Sequence, residues 1–394
     1  MIRARFHASE MKRRQILINA SNLHVGGGLQ VASAFLEHIA LGALQLPDDA
    51  DFHFAISNAV RANLATAGID HQMLRNVTVY DSKGWRELIS SSSVLRQQYD
   101  VVFTIFGPLY SPRQGRGYIT GFAQAWILVP SGAYGYFPQS ILSRLKFELQ
   151  WIFFRLSGDL IVETDHVRRL LCAYRKYPEQ RILVAPNCIG DIFRDRKRWV
   201  IDRFKSISEP GVIRIGYLGR DYPHKNLGVL LEIDRVLNAG GRRYRFYVTL
   251  SPSEWRGRSP EFRRSIANVG EISTAECPPF YEMLDAAICP SLLECSSALP
   301  LESIYMGRPL FCSDRAFHRD ALGQYANYFD PLDAISAARL IDDWFHSLDD
   351  TRRERFLTEA KIWAESWPTA LDRSKLYLAR ILSRCSSMQW KHAS

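Results

Sequence analysis

No apolar run in these 394 residues approaches the roughly 20 that a membrane-spanning helix requires. No apolar segment before Ile16 could serve as the core of a signal peptide. Cysteine is sparse and unpatterned: seven thiols stand at 172, 188, 277, 289, 295, 312 and 385, several in apolar runs and none as Cys-x-x-Cys. An odd count so placed argues against a disulfide framework or a zinc site, and for buried free thiols in a reducing compartment. The histidines are scattered, with no cluster at metal-ligand spacing. There is no Gly-Lys-Ser/Thr phosphate loop, no complete Gly-x-Gly-x-x-Gly fingerprint, no nucleic-acid recognition motif and no internal repeat. What remains is a globular chain, 47% hydrophobic and 23% charged, whose expected location is the cytoplasm.

Its length suggests two domains. Residues 1–200 hold 24 Lys+Arg against 16 Asp+Glu, a balance of +8, while the remainder holds 26 against 25, or +1. A basic half beside a neutral half points to an anionic partner. Without a nucleic-acid motif, the expected partner is an anionic inner-membrane surface. The stretch Ser140 to Arg155 mixes bulky apolar and basic residues. It reads either as a helix lying on a membrane or as a core helix with a polar stripe.

Strand and helix signals alternate in both halves, which predicts α/β architecture: two doubly wound, Rossmann-like parallel-sheet domains. Strands are expected near 15–20, 52–57, 77–80, 101–106, 118–123, 160–163 and 182–185, then near 212–218, 246–250, 287–289 and 310–312. The charged connector Arg194 to Lys205 divides them, giving domains 1–200 and 201–367. A helical tail, about 368–394, is expected to pack back on the first domain. The loop Pro47-Asp48-Asp49-Ala50-Asp51 reads as a solvated turn rather than a metal site.

Three turns carry candidate chemistry. In Pro290-Ser291-Leu292-Leu293-Glu294-Cys295-Ser296-Ser297-Ala298, a short buried strand runs into a polar turn and then a helix holding Glu302. The helix start offers free amides and a positive dipole end to an anion. Glu294 and Glu302 would repel that anion unless they face hydroxyl groups, and phosphate beside hydroxyls is the chemistry of a sugar nucleotide. In Gly219-Arg220-Asp221-Tyr222-Pro223-His224-Lys225-Asn226, Arg220 and Lys225 follow another strand, where they can meet a diphosphate. In Ser21-Asn22-Leu23-His24-Val25-Gly26-Gly27-Gly28, three glycines permit close approach to a ligand or simply a tight strand-to-helix turn.

These turns together resemble the GT-B glycosyltransferases, specifically the retaining nucleotide-sugar family 4. The shared features are the glycine loop, Gly-Arg-x4-Lys-Asn, Pro-Ser-x-x-Glu with Glu302 eight positions on, and the helix end Met306-Gly307-Arg308-Pro309. The similarity is strongest over 212–313. Ile119 to Trp126 and Val162 to Val167 further resemble enzymes of bacterial surface-polysaccharide biosynthesis. The resemblance implies two domains facing across a cleft. Arg220 and Lys225 would neutralise the donor diphosphate, Glu294 would contact donor-sugar hydroxyls and Glu302 the ribose. Amides around Ser296, Ser297 and Ala298 would meet the distal phosphate. Gly27 and Gly28 would approach from the other domain, and Val269 to Ile272 would flank the base. A histidine that many members carry is missing from Gly121-Phe122-Ala123-Gln124-Ala125-Trp126. Gln124, His24 and His166 are candidates for its role, and Tyr134, with Tyr136 and Phe137, for the acceptor side.

The implied activity is a metal-independent, retaining hexosyl- or deoxyhexosyltransferase with a nucleoside-diphosphate sugar as co-substrate. The acceptor would be a glycan or lipid-linked oligosaccharide of O-antigen, lipopolysaccharide or exopolysaccharide synthesis. Two rival readings stay open: a non-hydrolysing sugar-nucleotide epimerase, and a non-catalytic nucleotide-sugar or glycan-binding protein.

Overall fold

The computed structural model describes residues 13–82, 84–88, 95, 97–110, 117–128, 140–205, 207, 209–241 and 243–389. Thirteen strands among them form two sheets. The first contains β1 (Arg14–Ala20), β2 (Ala50–Ile56), β3 (Val77–Val79), β4 (Val101–Thr104), β5 (Tyr118–Gly121), β6 (Asp159–Val162) and β7 (Ile182–Val184), in the order β3-β2-β1-β4-β5-β6-β7. The second contains β8 (Ile213–Tyr217), β9 (Tyr244–Val248), β10 (Ala267–Asn268), β11 (Ala286–Cys289), β12 (Leu310–Ser313) and β13 (Asn327–Phe329), in the order β10-β9-β8-β11-β12-β13. The paired registers are parallel, as in β8 with β9 and β11 with β12. Helices cover such sheets on both faces, so the central strands read as continuous apolar runs: all four residues of β4 and of β11 are buried. In each sheet the chain builds outward from its first strand and then returns beside it, at β1/β4 and β8/β11. Brändén's rule places ligands at such switch points.

Chain contacts define two compact units: 1–121 with 152–160 and 375–394, and 122–151 with 161–374. In the first, Ile16, Leu17 and Ile18 of β1 are buried, and Phe35, Phe103 and Tyr377 meet edge to face at centroid distances of 5.1–6.0 Å. Asp159, fully buried at the start of β6, is paired with Arg384 and, at 2.8 Å, with Arg380. In the second unit the core lies between β8, β9, β11 and β12 and helices such as Val229–Ala239, whose buried Val229, Leu230, Ile233 and Leu237 recur at helical spacing.

The strands expected from the sequence are present, with ends moved by no more than two residues. Strands β10 and β13 were not expected. With two and three residues at the sheet edges, they are too short for periodicity to register. The Asp49–Asp51 turn needs correction: Ala50 and Asp51 belong to β2, and Asp51 accepts Gln15 Nε2 at 2.9 Å and pairs with Arg13 at 3.1 Å. The tail forms two helices, Asp350–Glu365 and Ala370–Gln389, broken at Trp367-Pro368 because proline disfavours helix in the residue before it.

Candidate active site

β8 and β11 are adjacent, with Ala286 opposite Ile215, so the turns that leave their carboxyl ends are neighbours. The first turn is fixed by its own chemistry. Gly219 adopts φ 152°, and a Cβ there would lie 2.8 Å from the Tyr217 hydroxyl. That hydroxyl donates to the Arg220 carbonyl at 3.0 Å, and Gly219 N donates to Thr249 Oγ1 at 3.1 Å. One 3-10 turn, Pro223–Lys225, ends on left-handed Asn226. Leu292 N, from the second turn, donates to the His224 carbonyl at 2.7 Å and ties the two turns together.

Lys225 Nζ thereby reaches Glu294 Oε1, and the two side chains are only 15% and 7% exposed. Burial opposes the lysine charge, but Glu294, with Cys289 and Tyr222, outweighs it and holds the ammonium above its ordinary value. Beneath the pair Cys289 is a buried thiol, pushed up to about 11 by desolvation. Its neighbour His318 is pushed down to about 4 by burial and faces Ser313 through Nδ1. His224, stacked on Tyr222 and set edge-on to Trp126, is likewise lowered by burial.

Arg220 is held by two carboxylates. Its Nε donates to Glu254 Oε1 at 2.9 Å and its Nη1 to Glu271 Oε1 at 2.8 Å. Glu254 sits at the third position of a capping box with Ser251. Burial raises its pKa, but the amides of Asp221 and Ser251 and the Arg220 guanidinium outweigh that and lower it. The guanidinium keeps part of its donor fork, which suits a bidentate anion.

The second turn ends in helix Ala298–Tyr305. Ser297 is its N-cap residue, but its side chain makes no capping bond. The amides of that first turn have no intrahelical acceptor and are available to an oxyanion. Glu302, two-thirds of the way along, accepts the Tyr281 hydroxyl at 2.9 Å. Desolvation pushes its carboxyl up to about 7 against that hydrogen bond. Ile272 packs on the core, and the Val269 and Glu271 carbonyls accept Arg203 Nη1 at 3.1 and 2.8 Å. The sequence-derived set Arg220, Lys225, Glu294, Ser296, Ser297, Ala298, Glu302 and Ile272 therefore lies in one compact unit.

Of the remaining candidates, Gln124 is half-buried in that same unit and its carbonyl starts the short helix Ala125–Leu128. His166 is buried in helix Asp165–Arg175, and its backbone N–H donates to Asp320 Oδ2 at 3.0 Å. Gly27, Gly28 and His24 belong to the other unit. Gly26 adopts φ 79°, which favours glycine, and a Cβ on Gly28 would come within 3.2 and 3.3 Å of the Phe106 and Leu23 side chains. His24 lies 3.7 Å from Asp81 and 3.3 Å from the Ser82 carbonyl. Tyr134, Tyr136 and Phe137 lie outside the described residues.

Thr164 reaches the second turn, and Glu163 and Arg373 stand near it. Thr164, just after β6, donates from Oγ1 to the Cys295 carbonyl at 3.2 Å. Glu163 borders the same cavity as Ser296, and Arg373 Nη1 lies 3.9 Å from its Oε1. Glu163 and Thr164 border that cavity, of about 50 Å³, together with Glu294, Ser297, Trp363 and Trp367. The resemblance singles out Val162 to Val167, but not its place beside the second turn, because 131 residues separate Thr164 from Cys295. Among the described residues no group of three or more metal-ligating side chains is found.

No protein-family model matches the chain, and no curated protein does. Solved structures do. A glycosyltransferase from Rickettsia africae superposes with a TM-score of 0.65 at 14% identity, covering 95% of this chain and 99% of its own. Anabaena HepE, solved with UDP and glucose, gives 0.66 at 13%, covering 94% and 100%. WaaG, a glycosyltransferase of lipopolysaccharide biosynthesis, gives 0.63 at 11%, covering 93% and 99%. Over nearly the whole chain, the fold is the two-sheet α/β fold of GT-B glycosyltransferases.

Proposed function

We propose that the chain is a retaining glycosyltransferase that moves a hexosyl or deoxyhexosyl group from a nucleoside-diphosphate sugar to a glycan or lipid-linked acceptor, in the synthesis of a bacterial surface polysaccharide. One observation carries the reading: Lys225 meets Glu294 where the turns after β8 and β11 lie side by side at a sheet switch point, with Arg220 on the first turn and the uncapped helix start, followed by Glu302, after the second. The neighbours' ligands agree with it, since HepE is solved with UDP-glucose.

In this reading Arg220, Lys225 and the amides of Ser296 to Ala298 hold the diphosphate, Glu294 the sugar hydroxyls and Glu302 the ribose. Gly27, Gly28, His24 and Gln124 are the candidates for serving the sugar and acceptor. The acceptor oxygen bonds to the anomeric carbon as the bond from that carbon to the phosphate oxygen breaks. The electron pair passes to the diphosphate, which also takes the acceptor proton. Charge therefore grows where the cations and amides are aimed, and fixed donors stabilise that change more than the ground state. Arg220 and Lys225 supply the positive charge, so the reaction runs without a metal ion.

The measurement is nucleotide-sugar binding and turnover across a panel of UDP-, GDP- and dTDP-sugars, with Arg220→Ala and Glu294→Ala. Unchanged affinity and turnover in both variants would sink the assignment. Nucleotide released only when acceptor is present supports transfer, whereas an isomerised donor supports an epimerase. The anomeric configuration of the product, read by NMR, decides retention.

The same reading places the enzyme on the inner face of the membrane. Helix Ile141–Leu156 exposes Ile141, Leu142, Leu145, Leu149, Ile152 and Leu156, between 47% and 79% each, at successive helical spacings. Arg144, Lys146 and Arg155 accompany them. An apolar stripe edged by cations suits an anionic leaflet. Among the described residues no helix is long and apolar enough to cross a membrane.

A further inference from the structure

The arginine that the proposed chemistry aims at a diphosphate is already engaged twice. Arg220 donates from Nε to Glu254 and from Nη1 to Glu271, which leaves three of its five N–H donors. Lys225, on the same turn, is paired with Glu294. Two cations against three carboxylates give this corner a formal balance of −1, which opposes an incoming diphosphate instead of attracting it. A diphosphate binds well here only if one carboxylate gives way, and the three differ in how firmly they are held. Glu294 is buried with its lysine. Glu254 is 15% exposed and fully engaged: its Oε1 accepts the Asp221 amide at 3.0 Å as well as Arg220, and its Oε2 accepts the Ser251 amide at 2.9 Å. A glutamate at this position of a capping box ordinarily serves its own helix. Here its second oxygen grips the neighbouring turn. At the far end of the same short helix, Arg258 Nε donates to Asp221 Oδ2 at 2.6 Å and fastens that turn again. Glu271 is the opposite case. Its side chain is 53% exposed, and Arg220 is that side chain's one hydrogen-bond partner among the described residues. Its backbone is fixed independently, because Arg203 Nη1 donates to its carbonyl at 2.8 Å. The carboxylate therefore swings away by side-chain rotation alone, a fast motion at an exposed position.

We infer that Glu271 is an internal competitor of the nucleotide: it occupies the Arg220 guanidinium until a diphosphate replaces it, while Glu254 stays and keeps that guanidinium in position. The inference rests on the function proposed above. The exchange conserves the hydrogen bond on Nη1, one acceptor oxygen for another, and takes one negative charge out of the corner. It also sets a threshold for ligands. A lone phosphate that meets Arg220 merely trades one exposed ion pair for another, which is worth little. A diphosphate gains further donors in the same step, so the competitor discriminates against simple anions. Glu254 is indispensable to this exchange, because an arginine released by Glu271 without a second anchor would lose its orientation.

The test uses the full chain, with UDP, GDP, dTDP and ADP as probes in isothermal titration and a thermal midpoint for each variant. Affinities are compared for the probe that the parent binds best. Glu271→Gln is expected to bind it about two- to fivefold more tightly at about 50 mM salt, the worth of one exposed ion pair, and the gain is expected to fade at about 500 mM. Glu359→Gln controls for net charge, since Glu359 is 52% exposed and likewise paired with an arginine. It is expected to change nothing. Glu254→Ala also removes a negative charge, yet is expected to weaken binding about tenfold, because Arg220 loses its anchor. Glu254→Gln keeps an oxygen for Arg220 Nε and is expected to bind within about threefold of the parent. Unchanged or weaker binding by Glu271→Gln overturns the inference, as does an equal gain in Glu359→Gln. Tighter binding by Glu254→Ala would make Glu254 a second competitor, and normal binding with a lowered midpoint would make it merely structural. Either overturns its positioning role, as does a Glu254→Gln that binds as poorly as Glu254→Ala. Arg220→Ala run alongside separates this inference from the reading beneath it. If the parent binds no probe, or Arg220→Ala binds as well as the parent, the proposed nucleotide site is wrong; if Arg220→Ala loses binding while Glu271→Gln gains none, only the competitor role is.

Discussion

At the scale of single residues, the Lys225–Glu294 pair carries the sharpest expectation. Both groups are buried, so removing one leaves an uncompensated charge, which costs about 3–5 kcal/mol. Lys225→Met is expected to lose that much in urea denaturation. Replacing both, as Lys225→Met with Glu294→Leu, is expected to restore most of the stability and none of the nucleotide-sugar turnover. Such a split would separate what the pair does for the fold from what it does for a ligand. Glu302 gives a pH test. Its carboxyl lies at about 7 in the folded chain against an ordinary 4.5, so between those values the folded state binds the extra proton. Its contribution to stability therefore falls as pH rises through that window. Glu302→Gln cannot ionise. Relative to the parent, its thermal midpoint is expected to climb between about pH 5 and about pH 8, and a constant difference would refute the shift.

At the scale of elements, the helix Ile141–Leu156 separates two readings that its sequence left open. A core helix would bury its apolar stripe, but here the stripe is exposed. Leu142→Glu with Leu145→Glu is expected to abolish sedimentation with anionic phosphatidylglycerol vesicles while changing stability by no more than about 0.5 kcal/mol. Retained sedimentation would move the membrane surface elsewhere. The turns after β8 and β11 were legible in the sequence because each compresses its chemistry into a dozen residues beside a strong apolar strand. Glycine, proline and charge stand there at fixed offsets. That Lys225 pairs with Glu294 was not legible, since adjacency of β8 and β11 is a property of strand order and not of either segment. Glu163 and Arg373 were still further out of reach. They lie 210 residues apart in number, read off as 373 less 163, and only the folded chain brings them together. For Glu254 and Glu271, a sequence reader sees exposed surface acids, whereas their partner Arg220 gives them a place beside the site.

At the scale of the whole molecule, the last helix takes part in both compact units. Its first turn follows Thr369, which bridges to Ile189, while Arg373 reaches Asn187. Further on, Tyr377 enters the cluster with Phe35 and Phe103, and Arg380 and Arg384 neutralise Asp159. Truncation after Ser374 strips the buried Asp159 of both cations. It is expected to destabilise the chain by at least about 3–5 kcal/mol, read as an early transition in thermal unfolding. Asp159→Asn in the truncated chain is expected to recover part of the loss, because no charge is then left unpaired; no recovery would assign the whole cost to Tyr377 and its neighbours. The same helix sets an order of assembly on the ribosome. The unit that begins with the first residues is not complete until Tyr377 and Arg384 have been made. At about 5–20 residues per second, the roughly 250 residues from Gly121 onward take on the order of 13–50 s to synthesise. Through that interval the nascent β1 and β4 lack the aromatic side chain that closes their core, so of the two units the one begun first is finished second.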